Sequence, residues 1–122
     1  MTHLHYRVWD GEQMHYWDDE GISLTIEGGN WFLHHERIGY IASSEEVGAA
    51  LMWGTGEKDK NARMIYERDS IRDNAGFLWK VYWEDGSFWA KGGEFNSREQ
   101  LIEFAPAFCE VYQNPDLLEA AE

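Results

Sequence analysis

Gly54, Gly56 and Lys58 fall together in "GTGEKDKN" (54–61), and glycine with lysine in a loop is the raw material of a phosphate cradle. Such a cradle uses backbone amides of a strand-to-helix turn, which needs two glycines five apart followed by Lys and Ser or Thr. Here the glycines are two apart, Lys58 follows Glu57, and Glu57 and Asp59 would repel phosphate. "MIYERDSI" beyond the loop reads as strand, not helix. The stretch therefore reads as an exposed β-connection, with Lys58, Asp59, Lys60 and Asn61 as turn residues and Trp53 and Tyr66 near its flanks.

The other reactive residue types are less organised. His3 and His5 share one strand face and could present two ligands, whereas the adjacent His34 and His35 would point to opposite faces. No cysteine pair and no His-Glu-x-x-His accompanies them, so no metal or cofactor is expected. The acidic doublets Asp18-Asp19, Glu45-Glu46 and Glu84-Asp85 read as solvated turns among 23 acidic residues. Gly-x-Ser-x-Gly is absent, and no catalytic residue is nominated. Cys109, the single cysteine, sits in apolar "PAFCEVY" and reads as a small core residue; alone, it cannot form an internal disulfide.

Aromatic residues are the compositional excess: seven Trp, six Tyr and six Phe in 122 residues. In "FLWKVYWEDGSFWAK", alternation puts Phe77, Trp79, Val81 and Trp83 on one face and Leu78, Lys80 and Tyr82 on the other. The first face suits a core. The second leaves Tyr82 beside Lys80, where a partner protein or small ligand could be met.

The chain carries 10 basic and 23 acidic residues, a formal charge of −13. Residues 1–60 account for −7 and residues 61–122 for −6, with neither an acidic tail nor a basic stripe visible. Such a surface repels nucleic acid and anionic lipid. The opening "MTHLHYRVWDG" has no basic region followed by an apolar one, and no apolar run has membrane-spanning length, so a cytoplasmic protein is expected.

A length of 122 residues fits one domain, 1–122. "THLHYRVW", "EQMHYW", "ISLTIE", "WFLHHERIGYIA", "ALMW", "RMIYERDSIR", "GFLWKVYWED", "SFWAKG" and "FCEVYQ" read as strands, with turns at Asp10-Gly11, Gly28-Gly29-Asn30 and Asp85-Gly86. "SSEEVGAAL" suggests one helical turn at best. "NSREQLIEF" has Ser97 and Gln100 at capping-box spacing and predicts a helix ended by Pro106; "PDLLEAAE" predicts a short terminal helix behind Asn114. The expected fold is mainly β, marginally α+β: a small barrel- or sandwich-like domain of many short strands with one or two short C-terminal helices. Many short strands also leave edges on which copies of the chain could pair into a homo-oligomer.

Four stretches, in order, resemble the YopX family of phage and prophage proteins: "YRVWDGEQMHYW", "LMWGTGEKDKNARMIYERDSIR", "VYWEDGSFWAK" and "CEVYQNPDLLE". The second is the most specific. There are departures: Arg68-Asp69-Ser70 stands where the family usually has Gly-Asp-Ile or Gly-Asp-Val, and Glu57 replaces a Leu-like residue. Losing that glycine means that the turn either does not need positive φ or is strained. The resemblance implies a small, mainly β, phage-encoded accessory protein and carries no catalytic residues with it.

The leading expectation is a non-enzymatic binding module acting on a host protein inside the host cell. Its concrete version is an anti-defence inhibitor whose acidic surface competes with nucleic acid for a basic groove. The alternatives are a binder of small nucleotide signals, a structural or oligomeric phage protein, and an enzyme with an unfamiliar site. The candidate contact residues are Trp53, Lys58, Asp59, Lys60, Asn61, Arg63, Tyr66 and Tyr82.

Overall fold

The computed structural model describes residues 5–102 and 109–112. The fold is mainly β. Within the described residues it contains twelve strands: β1 (Tyr6–Trp9), β2 (Met14–Tyr16), β3 (Ile22–Glu27), β4 (Asn30–His35), β5 (Gly39–Ser43), β6 (Ala50–Lys58), β7 (Met64–Tyr66), β8 (Ser70–Arg72), β9 (Leu78–Glu84), β10 (Ser87–Gly92), β11 (Ser97–Gln100) and β12 (Glu110–Tyr112). All pairings are antiparallel. The chain packs as two compact units, Met1–Trp53 and Gly54–Ala121.

In the first unit, β3, β4 and β5 form one sheet, and β2, β1 and the start of β6 pair beside one another. Its core is built on Val8, Leu33 and Ala42, all inaccessible to solvent, with Ile22, Leu24, Trp31 and Leu51 packed around them. The predicted turns have identifiable causes. The Asp10 carboxylate accepts the Glu12 and Gln13 amides at 2.7 and 2.9 Å. Gly28 and Gly29 both take positive φ (54° and 86°), the requirement of a two-residue hairpin whose twist matches its strands.

The second unit is organised by a five-stranded sheet in the order β11-β10-β9-β8-β12. Its inner face buries Ile71, Val81, Ala90, Leu101, Cys109 and Val111 together with Ile65, and Trp79 and Phe88 pack against them. Alternation along β9 and β10 then turns Lys80, Tyr82 and Glu84, with Trp89 and Lys91, to the outer face. The thiol of Cys109 is buried in this core; burial first, then the nearby charges of Asp73 and Asp59, push it up to about 11.

Three sequence expectations meet a different structure. "NSREQLIEF" is not helical over Ser97–Gln100: those residues form β11, laid on β10 with Arg98 opposite Lys91. The capping-box spacing is present, but tertiary pairing and the burial of Leu101, whose N–H donates to the Phe88 carbonyl at 2.9 Å, override that local preference. The rest of that predicted helix from residue 103 onward, and the terminal helix over 115–122, lie outside the described residues. "SSEEVGAAL" is a pair of turns; the Glu46 carboxylate still reaches back to the Ser43 N–H at 3.1 Å. Finally, β6 does not stop at Trp53. It runs through Gly54-Thr55-Gly56-Glu57 to Lys58, with an irregular register against β7, so the true connection is only residues 59–63.

Candidate functional site

Asp59 opens that short connection, and its side chain has no exposed surface. Its carboxylate accepts the amides of Asn61, Arg63 and Val111, each at 2.9 Å, and the Arg63 Nε at 3.2 Å. Burial alone would raise its pKa, but these hydrogen bonds and the Arg63 charge hold it below the ordinary carboxylate value. Arg63 also donates to the Val111 carbonyl at 3.0 Å, and the Lys60 ammonium lies 3.5 Å from Glu110. Four candidates from the sequence, Asp59, Lys60, Asn61 and Arg63, thus come together as a knot holding the connection against β12. The reading of Asp59 as an exposed turn residue is corrected: the carboxylate is enclosed because five residues of connection cannot satisfy their own backbone amides otherwise.

The remaining candidates scatter. Lys58 is exposed at the end of β6, and Tyr66 is buried. Trp53 belongs to the first unit, where its ring meets Tyr6 edge-on at 6.3 Å. Tyr82 lines a substantial cleft.

That cleft, about 540 Å³ in volume, lies on the outer face of the second unit's sheet and is lined by Arg68, Lys80, Val81, Tyr82, Glu84, Lys91, Asn96 and Arg98. Strand pairing builds it row by row. Ser70 stands opposite Lys80, Lys80 opposite Lys91, and Lys91 opposite Arg98, so three cationic residues lie side by side across β9, β10 and β11. The neighbouring row is Tyr82, Trp89 and Gln100. The Arg98 guanidinium lies 3.9 Å above the Trp89 ring and 3.0 Å from the Glu84 carboxylate, two contacts that fix its position.

Arg68 enters from the turn between β7 and β8. The Asp69 N–H donates to the Tyr66 carbonyl at 3.1 Å, closing a four-residue turn, and the Asp69 carboxylate accepts the Tyr66 N–H at 2.8 Å. Arg68 holds the third position at φ 72°, where a turn of this kind favours glycine. This settles the alternatives raised by the sequence: the turn does require positive φ, and an arginine adopts it.

The cleft therefore collects four of the chain's ten basic residues although the chain carries −13 overall. The expectation that no basic stripe exists is corrected: Lys80, Lys91 and Arg98 form one, assembled by register from separate strands. Sequence reading noticed Lys80 beside Tyr82 and missed the other three. Like charges opposite one another on a sheet are destabilising, and Glu84 offsets this for Arg98, the member of the row that it pairs with.

A second cleft of about 290 Å³ is lined by Arg63, Arg72, Glu110, Val111 and Tyr112. Arg63 is already paired with Asp59 and Arg72 lies 4.8 Å above the Tyr112 ring, so its charges are largely used internally. Within the described residues, no group of three His, Cys, Asp or Glu is placed to hold a metal ion, and no helix is long and apolar enough to cross a membrane. His3 lies outside the described residues.

Fold and site together define a small, mainly β protein with a cation-lined cleft on a sheet face. The chain belongs to the YopX family: the YopX protein model matches residues 5–119. It is 35% identical to the SPbeta prophage-derived protein YopX of Bacillus subtilis (strain 168), over 96% of this chain and 97% of that protein. Its fold is similar to the crystal structure of protein yopX from Bacillus subtilis, with a TM-score of 0.73 and 36% identity, covering 93% of this chain and 96% of that one.

Proposed function

We propose that this chain is a prophage-encoded, non-enzymatic binding module working in the cytoplasm of its host, and that it holds a small, multiply charged anion on the outer face of the β8–β11 sheet. The observation that carries this reading is the row of Lys80, Lys91 and Arg98 directly opposite one another in a strongly acidic chain. The cleft lies in the size range of small-molecule sites. Its lining offers cations, an amide, a phenol and a carboxylate already paired with Arg98, a set suited to holding a ligand. The prophage origin rests on the relative in Bacillus subtilis.

Thermal melting with tripolyphosphate at low salt tests this. A ligand that binds only the folded state at a hundred times its Kd stabilises it by about 2.7 kcal/mol. Stabilisation of the native chain, lost in a Lys80→Thr/Lys91→Thr double variant, is the expected result. No stabilisation of the native chain would remove the reading.

A second reading concerns the first unit. Residues 1–53 hold nine acidic residues against Arg7 and Arg37, and Arg7 is buried. This charge suits a host protein with a basic, nucleic-acid-binding groove, as an anti-defence inhibitor would require. A pull-down from host lysate at moderate salt should recover such a protein; recovering none would count against this role.

A further inference from the structure

We infer that the anion held in the cleft is the phosphate chain of a nucleotide, with its base against Tyr82. The inference rests on the anion-binding reading above and adds the ligand's chemical class. Three observations lead to it.

The first is the order of chemistry along β9. Lys80, Tyr82 and Glu84 project from the same face, and residues two apart on a strand are roughly 6.6 Å apart. The cleft thus passes from the two lysines through a half-buried phenol ring to a carboxylate paired with Arg98, within about 13 Å. A nucleotide has the same sequence of parts: phosphates, then a flat ring carrying hydrogen-bond donors.

The second is what an inorganic anion would not use. Glu84 lines the cleft with one carboxylate oxygen on Arg98, and its other oxygen can accept a hydrogen bond from an exocyclic amine or a ribose hydroxyl. Asn96 adds both a donor and an acceptor. The Arg98 guanidinium, spread on Trp89, adds a second flat cationic surface suited to stacking.

The third is the backbone of Arg68. A residue with a Cβ is disfavoured at φ 72°, yet this position places a fourth cation at the cleft. A long nucleic acid is the wrong size for this site and is repelled by the charge of −13 on the rest of the molecule.

Calorimetric titration of the full chain with ATP and with tripolyphosphate, which have the same number of phosphates, tests the inference. ATP is expected to bind about tenfold more tightly, the contribution of a base stacked on an aromatic ring. Tyr82→Leu should bring ATP down to the affinity that the same variant has for tripolyphosphate, while Tyr82→Phe should keep the ATP advantage. Lys80→Thr/Lys91→Thr should lose both ligands. Equal binding of ATP and tripolyphosphate would overturn the nucleotide assignment and leave the anion site standing. A Tyr82→Leu variant that keeps the full ATP advantage, or a Tyr82→Phe variant that loses it, would also overturn the assignment. Binding of neither ligand would remove both readings.

Discussion

Lys80 and Lys91 face each other directly across the β9–β10 ladder, and neither is among the residues that an ion pair holds in place in the described structure. Directly opposed like charges cost a few tenths to one kcal/mol relative to neutral pairs. Lys91→Thr is therefore expected to raise the stability of the ligand-free protein by roughly 0.5 kcal/mol at low ionic strength, with a smaller gain at high salt. Urea unfolding at two salt concentrations measures this. A loss of stability would mean that the lysine stem packs usefully on the sheet.

Arg68 makes a second prediction, because its turn requires φ 72° whatever residue occupies it. Arg68→Gly removes the conformational penalty and is expected to stabilise the fold by about 1 kcal/mol. The same change should weaken anion binding, since Arg68 lines the cleft. Opposite movements of stability and affinity in one variant are the signature to look for; a variant less stable than the native chain would show that the side chain's contacts outweigh the strain.

Asp59 sets a pH dependence whose sign follows from its lowered pKa. A carboxylate held lower in the folded state than in the unfolded one contributes stability above its unfolded value. That contribution is lost as pH falls through the folded value, below about 4. Asp59→Asn is expected to cost about 3 kcal/mol at pH 7, because buried amides lose a charged acceptor. The gap between the native chain and the variant should close as the solution is acidified below about pH 4. Denaturant melts across that range decide it; a gap independent of pH would show that charge is not what Asp59 contributes.

Two glycines separate conformational cost from collision. Gly86 takes φ 78° in the Asp85-Gly86 hairpin, and a Cβ there would touch nothing within 4 Å. Gly93 takes φ 76°, and a Cβ there would lie 2.5 Å from the Trp79 ring. The Trp79 indole is held by its N–H bond to Asp73 at 2.9 Å and cannot readily move aside. Gly86→Ala should cost about 1 kcal/mol and Gly93→Ala at least about 2 kcal/mol more, read from their thermal midpoints. Equal losses would show that Trp79 yields.

Much of the fold was legible in the sequence because β-structure announces itself in alternation and in two-residue turns. The strand content, the turns at Gly28-Gly29 and Asp85-Gly86, and the inward face of Trp79 and Val81 all follow from such local signals. The cation row could have been found the same way. A turn at Asp85-Gly86 puts Glu84 opposite Ser87, and stepping back four residues from each places Lys80 opposite Lys91. Arg98 was harder, since a capping-box pattern concealed β11. The role of Asp59 was not legible, because its partner Val111 is 52 residues away. An acid within a run of polar residues looks like solvated turn chemistry until the chain is folded.

The bonds from the 59–63 connection have one more effect. Among the described residues, β12 is the last strand on its side of the sheet, paired with β8. The Cys109 carbonyl accepts the Lys60 N–H, the Val111 N–H goes to Asp59, and the Val111 carbonyl accepts Arg63. Three main-chain groups of this edge are therefore already occupied. Exposed strand edges invite a neighbouring molecule to add a strand and begin aggregation, and covering the edge is one way to prevent it. The connection blocks that growth with one carboxylate, one guanidinium and one amide. A chain that lost Asp59 would do more than soften: it would leave the Val111 N–H on that edge open to a neighbouring strand.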